Sequence, residues 1–285
     1  MDCCDISHQI NIPEGSKKIV LAGNPNVGKS IFFNSFTGIY VAVSNYPGTT
    51  LDINSGIYED YTVIDTPGVY GVSSFNDEEI VARDVILSAD IVVNIVDAVH
   101  LERDLFLTQQ IIDMGIPVLL ALNMMDEVEK NGLRIDVKKL SEELGIPVIS
   151  TTAIKGIGLK GVKESINRAS VGNSIFKDEY LRGKRDTLSE EINNNADTLL
   201  ILEGDPHVAA KHGVSPLPLR EDIYKLRRQR INEIVEKVVS QTVVSNSFKT
   251  KLGRFMIRPL TGIPILLLTL YLLYQLVGVF IAQTV

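Results

Sequence analysis

Cysteine is scarce in this sequence, which excludes a fold held together by disulfides. Only two cysteines occur among the 285 residues, and they are adjacent, at Cys3 and Cys4. Such a pair cannot build a disulfide framework, so we expect the chain to belong to a reducing compartment. With His8 the two thiols could hold a metal ion, but adjacent thiols reach one tetrahedral ion poorly. We therefore favour a flexible tail over residues 1–17.

The sequence also lacks an excess of positive charge and an apolar N-terminal stretch. The 28 basic residues are outnumbered by 35 acidic residues, which gives a net charge of −7. A surface of that sign does not favour a chain-wide nucleic-acid interface, so we expect no nucleic-acid partner. Charged residues occur throughout the first 18 residues, which argues against a secretory signal.

The rest of the composition is that of a globular protein. Hydrophobic residues make 45% of the chain and charged residues 22%, which excludes a mainly disordered protein. At roughly 150 residues per domain, the length predicts about two domains.

Short apolar runs alternate with amphipathic stretches over residues 18–170. Strands are predicted at Ile19–Ala22, Tyr61–Ile64, Asp90–Val96, Val118–Leu122 and Val148–Ile149. Helices are predicted at Ser30–Phe36, Glu78–Leu87, Leu105–Met114, Val137–Leu144 and Leu159–Ala169. This alternation predicts an α/β fold with a doubly wound, mainly parallel sheet.

A small helical domain is predicted over residues 171–250, where no strong strand pattern occurs. Apolar residues at helical spacing indicate a long helix from about Arg220 to Ser240. Four basic residues of this helix are assigned to the side that faces solvent or lipid headgroups: Lys225, Arg227, Arg228 and Arg230.

The stretch Leu260–Ala282 contains no charged residue. As a helix, its 23 residues would be about 34 Å long, against a hydrocarbon core of about 30 Å. A buried core helix is the alternative, but apolar residues occupy every face of the helix. Four basic residues within 249–258 precede it. We therefore expect a basic segment and one membrane span within 251–285, at the cell membrane, with the residues before it on the cytoplasmic side.

A phosphate-binding loop is predicted between the first strand and the first helix. The pattern G-x-x-x-x-G-K-[ST] is matched by Gly23, Asn24, Pro25, Asn26, Val27, Gly28, Lys29 and Ser30. Gly28 lets the backbone wrap closely, so that successive N–H groups point at the phosphates. Lys29 would place its charge on the β- and γ-phosphates, and the Ser30 hydroxyl would ligate Mg²⁺.

A base-recognition signal follows the strand at Val118–Leu122. Its residues are Asn123, Met124, Met125 and Asp126. The Asp126 carboxylate can accept two hydrogen bonds from guanine, whereas adenine would leave it unpaired. A helix cap at the strand end is the alternative for this short motif. At the end of the next strand, we expect the Ala153 N–H to face guanine O6 and Thr152 to brace the loop.

Two further segments are predicted to sense the γ-phosphate. Asp65 ends a strand and can hold the Mg²⁺ shell through water, while the Gly68 N–H can reach the γ-phosphate. In the loop Gly38–Asp52, Thr50 is preferred to Thr49 as the Mg²⁺ ligand. The nucleotide-contacting residues predicted in the two segments are Gly48, Thr49, Thr50, Asp65, Thr66, Pro67 and Gly68.

In this order and combination, the motifs resemble the FeoB-type ferrous iron transporters. The resemblance extends over Gly23–Gly38, Ser44–Asp52, Asp65–Tyr70, Leu122–Glu127, Gly132–Ile149, Leu199–Asp205 and Arg258–Val277. It implies a P-loop GTPase domain over 18–170 and a helical domain that resembles a guanine-nucleotide dissociation inhibitor. It also implies a membrane domain that carries Fe²⁺, and we expect this chain to lack most of that domain.

The resemblance further implies how GTP would be hydrolysed. Val69 stands where Ras-type GTPases have a water-orienting glutamine, and Met124 stands where they have a lysine. Asn26 matches an asparagine that ligates K⁺ beside the phosphates in related GTPases, and a second cation there would neutralise charge in the transition state. The catalytic residues are then Lys29, Thr50, Gly68 and Asn26, with slow, K⁺-stimulated turnover by water.

GTP or GDP, Mg²⁺ and K⁺ are thus the expected ligands. The expected partners are the membrane, the permeation domain, small cytoplasmic Feo accessory proteins and further copies of the chain. Two alternatives stay open. One is a soluble RNA- or ribosome-associated regulatory GTPase, and the other is a module that holds GTP without turnover.

Overall fold

The computed structural model describes residues 16–38, 42–45, 52–72, 76–176, 179–192, 194–241, 256, 259–275 and 277. Cys3, Cys4 and His8 lie outside these residues. The chain divides into two compact units, Met1–Ser240 and Gln241–Val285. The predicted boundaries near residues 170 and 250 stay predictions.

Within the described ranges, nine strands form two sheets. They are β1 (Lys17–Gly23), β2 (Ala42–Asn45), β3 (Asp52–Tyr58), β4 (Tyr61–Asp65), β5 (Ile91–Asp97), β6 (Val118–Asn123), β7 (Leu133–Ile135), β8 (Val148–Ser150) and β9 (Val239–Gln241). The main sheet has the order β2-β3-β4-β1-β5-β6-β8, and β7 pairs with β9. All neighbours from β4 to β8 run parallel, which confirms the mainly parallel α/β sheet.

The antiparallel strands β2 and β3 were not predicted. Polar residues and Gly56 interrupt the apolar pattern of β3, which reads DINSGIY. Tyr58 pairs with Tyr61 across a two-residue turn, and Glu59 adopts a left-handed φ of 51° there. The hairpin therefore forms without the Asn-Gly or Asp-Gly signal that marks such turns in sequence.

Eleven α-helices are described. They are α1 (Lys29–Thr37), α2 (Asp77–Leu87), α3 (Leu101–Asp113), α4 (Met125–Lys130), α5 (Val137–Leu144), α6 (Leu159–Glu164), α7 (Glu179–Ile192), α8 (Asn195–Leu202), α9 (Pro206–Lys211), α10 (Arg220–Val238) and α11 (Pro259–Leu273). Side chains of Asn76, Asp136 and Asn194 cap the first turns of α2, α5 and α8. The predicted helix Val137–Leu144 is confirmed residue for residue, and the long helix begins at Arg220 as predicted.

Both faces of the main sheet are buried. Along β1, Val20 and Ala22 pack in one hydrophobic cluster, whereas Ile19 and Leu21 pack in the other. Burial on both faces explains why the central strands read as continuous apolar runs. The phosphate loop is thereby fixed at the end of a rigid central strand.

The solvated position predicted for Arg227 is wrong. Its side chain is 0% exposed, with Nε donating to Asp113 Oδ2 at 3.0 Å and one terminal nitrogen donating to Glu203 Oε1 at 2.9 Å. Burial alone would lower the pKa of Arg227, but the charges of Glu203 and Asp113 raise it above its usual value. Lys225 and Arg228 of the same run are exposed, as predicted.

In the second unit, α11 is a 15-residue apolar helix with Pro264 inside it. The leucines between Leu266 and Leu273 are more than half exposed, for example Leu267 at 61%. None of the helices in the described ranges is both long and apolar enough to cross a membrane. The predicted span Leu260–Ala282 extends past these ranges and stays a prediction.

Candidate functional site

The loop between β1 and α1 has the backbone shape of a phosphate cradle. Asn26 and Gly28 adopt left-handed φ values of 66° and 90°. A Cβ atom at Gly28 would lie 2.9 Å from the Asn123 amide nitrogen, so a larger residue would collide there. The loop ends at Lys29, the first residue of α1, so its backbone N–H groups and the helix N-terminus lie together.

Lys29 is paired with a carboxylate from the neighbouring strand. Its Nζ lies 2.6 Å from Asp65 Oδ1, and both side chains are almost buried. Burial raises the pKa of Asp65 above its usual value, and the nearby Lys29 charge opposes that rise. The sequence predicted both residues in the site but not their contact.

The segment after Asp65 lies directly against the phosphate loop. Thr66 donates from both its N–H and its hydroxyl to Leu21 O, at 3.3 and 2.9 Å. The Val69 N–H donates to Gly23 O at 3.2 Å. A Cβ atom at Gly68 would lie 2.9 Å from Pro25 Cα, so only glycine fits this close approach.

A cavity of about 540 Å³ opens above this loop. Its lining residues are Asn24, Pro25, Asn26, Gly28, Lys29, Ser30, Ile31, Gly68 and Glu78. The exposed Ser30 hydroxyl and the Asp65 carboxylate offer the oxygen ligands that Mg²⁺ prefers, so the residues present fit that ion. A larger cavity of about 860 Å³ lies away from the loop, between α3, β7 and α10.

The phosphate loop is also anchored to α3, which the sequence did not reveal. Asn24 is 2% exposed, and its Nδ2 donates to Asp104 Oδ1 at 2.6 Å. Asp104 Oδ2 accepts from the Asp97 N–H at 3.0 Å. Burial raises the pKa of Asp104, against the lowering effect of the Arg103 hydrogen bond. The sequence does not indicate this contact, because acidic residues such as Asp104 are common in the first turn of a helix.

Asn123 connects three loops at the other end of the site. Its Nδ2 donates to Val27 O at 2.8 Å, and its Oδ1 accepts from the Ala153 N–H at 2.9 Å and the Thr151 hydroxyl at 3.1 Å. Asn123 is therefore not a helix cap. The residue before α4 is Met124, with a left-handed φ of 63° and no side-chain cap hydrogen bond.

Two details of the loop at residues 151–153 differ from the prediction. The Ala153 N–H donates to Asn123 Oδ1 at 2.9 Å rather than pointing free toward a base. The side chain that braces the loop is that of Thr151, while Thr152 contributes a backbone pair with Ile157. Thr151 and Thr152 are adjacent in the sequence, and nothing in the motif S-T-T-A distinguishes their roles.

Asp126 lies in the first turn of α4 and has a partner that the sequence did not indicate. The Nζ of Lys155 lies 2.7 Å from Asp126 Oδ2. The hydrogen bond from Lys155 lowers the pKa of Asp126, so the carboxylate is ionised at neutral pH. Met125 also connects α4 to the loop at residues 151–153, because its N–H donates to Thr151 O.

The predicted residues of the first γ-phosphate segment, Gly48, Thr49 and Thr50, lie outside the described residues. Pro67 is half-buried between Thr66 and Gly68. Within the part of the chain that is described, no group of three or more histidine, cysteine, aspartate or glutamate side chains could hold a metal ion.

Comparison with known proteins gives one consistent family. The model of the family described as "Ferrous iron transport protein B" matches residues 17–166. Proteins named Fe(2+) transporter FeoB from Shigella flexneri and Salmonella typhimurium are 31% identical to the chain over 293 aligned positions. These alignments cover 90% of the chain and 38% of each relative, so the chain spans well under half the length of those relatives.

Comparison with solved structures gives the same family. The cytosolic domain of the T. maritima FeoB iron transporter in its GMPPNP form has a TM-score of 0.70 at 31% identity. A GDP-bound mutant of S. thermophilus NFeoB has a TM-score of 0.68 at 32% identity. Each comparison covers 79% of the chain and 100% of the solved structure.

Proposed function

The chain belongs to the family of ferrous iron transport protein B, FeoB, and from that premise we propose that it binds and hydrolyses GTP as the cytoplasmic module of a ferrous iron transporter. The observation that supports this most directly is the pairing of Lys29 with Asp65, 2.6 Å apart beside the phosphate loop. In this proposal Lys29 is the cation that binds the phosphates, and the Asp65 carboxylate beside it can organise a metal's water shell.

The residues of the loop have distinct roles in this proposal. Lys29 holds the β- and γ-phosphates, and the backbone N–H groups of Asn26 to Gly28 orient them. Ser30 and Asp65 would hold Mg²⁺, and Mg²⁺ bound there would supply charge neutralisation at the phosphates. Gly68, which packs on Pro25, brings its N–H to the γ-phosphate. Thr50 is proposed as a further Mg²⁺ ligand.

At the base end, Asp126 is proposed to accept from guanine N1–H and the 2-amino group. Lys155 lowers the pKa of its carboxyl group further below the usual value and fixes one oxygen through the ion pair. Asn123 positions the loop at 151–153 through its hydrogen bonds. Met124, half-buried beside them, supplies apolar packing for the ring.

In the whole protein, the exchange of GTP for GDP at this site would drive or gate Fe²⁺ uptake. The relatives bear the name Fe(2+) transporter, and the apolar α11 fits the beginning of a membrane domain. We propose the same setting for this chain: the cell membrane, with the first unit cytoplasmic and a permeation domain as partner. Small Feo accessory proteins and further copies of the chain are proposed as additional partners.

Phosphate release by the full chain tests this function. We expect GTP to be hydrolysed to GDP in the presence of Mg²⁺, and ATP to be neither bound nor hydrolysed at comparable concentrations. Tight GTP binding without phosphate release would favour the binding-only alternative. Equal use of ATP would contradict base recognition by Asp126.

Potassium dependence is a separate prediction. Val69 is 3% exposed and apolar, so it cannot orient the attacking water. Asn26 is exposed at the cavity, where its side-chain oxygen can ligate K⁺ beside the phosphates. GTP hydrolysis is expected to be faster in KCl than in NaCl at equal ionic strength, and Asn26→Ala should remove that difference.

Asn34→Ala is the matched control for this prediction, because Asn34 is an exposed asparagine on α1 outside the cavity lining. It should retain the full ratio of rates in the two salts. Equal rates in KCl and NaCl for the unaltered chain would refute the proposed K⁺ site.

A further inference from the structure

Two hydrogen bonds attach the phosphate loop to the rest of the first unit, one on either side of Asn26. Before it, the Asn24 amide donates to Asp104 Oδ1 of α3 at 2.6 Å. After it, Val27 O accepts from the Asn123 amide at the end of β6, at 2.8 Å. Asn26 lies between these attachments with its left-handed φ of 66°. The loop is therefore held from two different elements on both sides of its unusual residue.

The left-handed backbone of Asn26 has to be imposed by its surroundings. Residues other than glycine are disfavoured in this conformation, although asparagine tolerates it better than most. Such residues persist where neighbouring contacts fix the backbone. The side chain of Asn26 is exposed, so it packs little against the protein. Its backbone conformation consequently depends on the attachments at Asn24 and Val27.

Asp104 determines how the Asn24 amide is oriented. The two side chains are 1% and 2% exposed. Asp104 Oδ1 also accepts from Arg103 Nε at 2.7 Å, and Oδ2 accepts from the Asp97 N–H at 3.0 Å. Because a carboxylate accepts but does not donate, the Asn24 nitrogen must face Asp104 and the Asn24 oxygen must face away. That oxygen is buried and has no hydrogen-bond partner among the described residues, so the contact with Asp104 is what orients the amide.

We propose that Asp104 is a positioning residue that holds Asn26 in its left-handed conformation before nucleotide binds, and thereby raises the affinity for the phosphates. This rests on the proposed function, in which the N–H groups of Asn26 to Gly28 orient the phosphates. Asp104 is not among the residues that line the phosphate cavity, so it acts through Asn24. A loop that already has its binding shape loses less conformational freedom when the ligand binds.

Titration of the full chain with GDP tests this inference, in NaCl so that the K⁺ contact proposed for Asn26 does not contribute. Asp104→Leu removes the carboxylate at similar volume. It should lower the affinity for GDP about tenfold, because the released loop can leave its left-handed conformation. The loss of a negative charge would by itself favour the phosphates, so a fall in affinity has to come from the loop.

Asp104→Asn is the conservative variant and should retain most of the affinity. Its NH₂ group can face Asn24 if the Asn24 amide turns over. The Asn24 oxygen, which has no partner in the structure, then accepts from that group. The attachment of the loop to α3 would thus be kept with the hydrogen bond reversed.

Asn26→Gly shows whether Asp104 acts through the backbone of this residue. Glycine adopts a left-handed φ about as readily as a right-handed one. In a chain that carries Asn26→Gly, adding Asp104→Leu should therefore lower the affinity for GDP by about threefold or less. Each effect of Asp104→Leu is measured against its own parent, so the absence of the Asn26 side chain does not enter the comparison.

Asn24→Leu breaks the same hydrogen bond from the loop side. It leaves Asp104 its contacts with Arg103 and the Asp97 N–H, so α3 is disturbed less than by Asp104→Leu. It should lower the affinity for GDP in the same way, and again less in a chain that carries Asn26→Gly. If Asp104→Leu does not fold, this variant takes its place.

Thr108→Val is the matched control for a general loss of stability. Thr108 lies one turn further along α3, is 0% exposed, and donates its hydroxyl to Asn94 Oδ1 at 2.8 Å. The substitution removes a buried hydrogen bond of α3 that has no contact with the phosphate loop. Thermal melting should show a loss of stability, whereas the affinity for GDP should stay unchanged.

The possible outcomes separate this inference from the proposed function. If the unaltered chain does not bind GDP, the proposed function is overturned, and this inference with it. If it binds GDP but Asp104→Leu and Asn24→Leu keep the full affinity, the inference is overturned and the proposed function stands. The inference is also overturned if the loss is equal with and without Asn26→Gly, or if Thr108→Val causes the same loss.

Discussion

Asp126→Asn is expected to lower the affinity for GTP about tenfold or more and to shift preference toward xanthosine triphosphate. The substitution replaces one acceptor oxygen with an NH₂ group, which then faces a donor of guanine. Xanthine carries a carbonyl in place of the 2-amino group, and that oxygen can accept from the new NH₂. Competition titrations of both proteins with GTP, ATP and XTP measure the change.

Lys155 requires a control in this experiment, because its Nζ lies 2.7 Å from Asp126 Oδ2. Lys155→Met removes the ion pair but keeps the carboxylate, so it should weaken GTP and XTP binding to a similar extent. Glu127→Gln changes a neighbouring exposed carboxylate and should leave base preference unaltered. If Asp126→Asn keeps the original ratio of GTP to XTP affinity, Asp126 does not recognise the base.

Arg227→Met is expected to reduce the free energy of unfolding by about 3–5 kcal/mol. Arg227 is fully buried between Asp113 and Glu203. Methionine fills much of the same volume but leaves both carboxylates without their cation. The melting temperature of the full chain should fall on the order of 10 °C, and the urea midpoint should fall with it.

Arg228→Met is the matched control for this prediction. Arg228 is the next residue of α10 and is exposed at the larger cavity. The same chemical change there should alter stability by no more than about 0.5 kcal/mol. Equal effects of the two substitutions would mean that the helix as a whole, rather than the buried ion pairs, determines stability.

Local signals explain which parts of the site could be predicted from sequence. The phosphate loop is one continuous pattern, and glycine at position 28 is required by its left-handed φ of 90°. Asp65 and Asn123 each end a buried strand, and strand ends of a parallel sheet meet at one edge. The three predicted segments therefore lie together because the sheet places them there.

Contacts between distant elements account for what the sequence missed. Helical spacing shows which residues share a face of a helix, but not what that face meets. Arg227 lies four residues from both Ile223 and Ile231, which puts it on the buried face of α10, but the sequence does not show the carboxylates that pair with its charge there. The same holds for Lys155, whose partner Asp126 is 29 positions away, and for Asp104, whose partner Asn24 is 80 positions away.

The pairing of β7 with β9 also has a consequence for the order in which the chain can fold during synthesis. β7 lies at residues 133–135, and its partner strand is made more than a hundred residues later, with Ser240 donating to Arg134 O. The Asp136 N–H likewise donates to Val238 O, at 2.9 Å, which is also made about a hundred residues later. The nascent chain can therefore assemble β1 to β6 early. The pair of β7 and β9, which lies beside α4, forms only after α10 has left the ribosome.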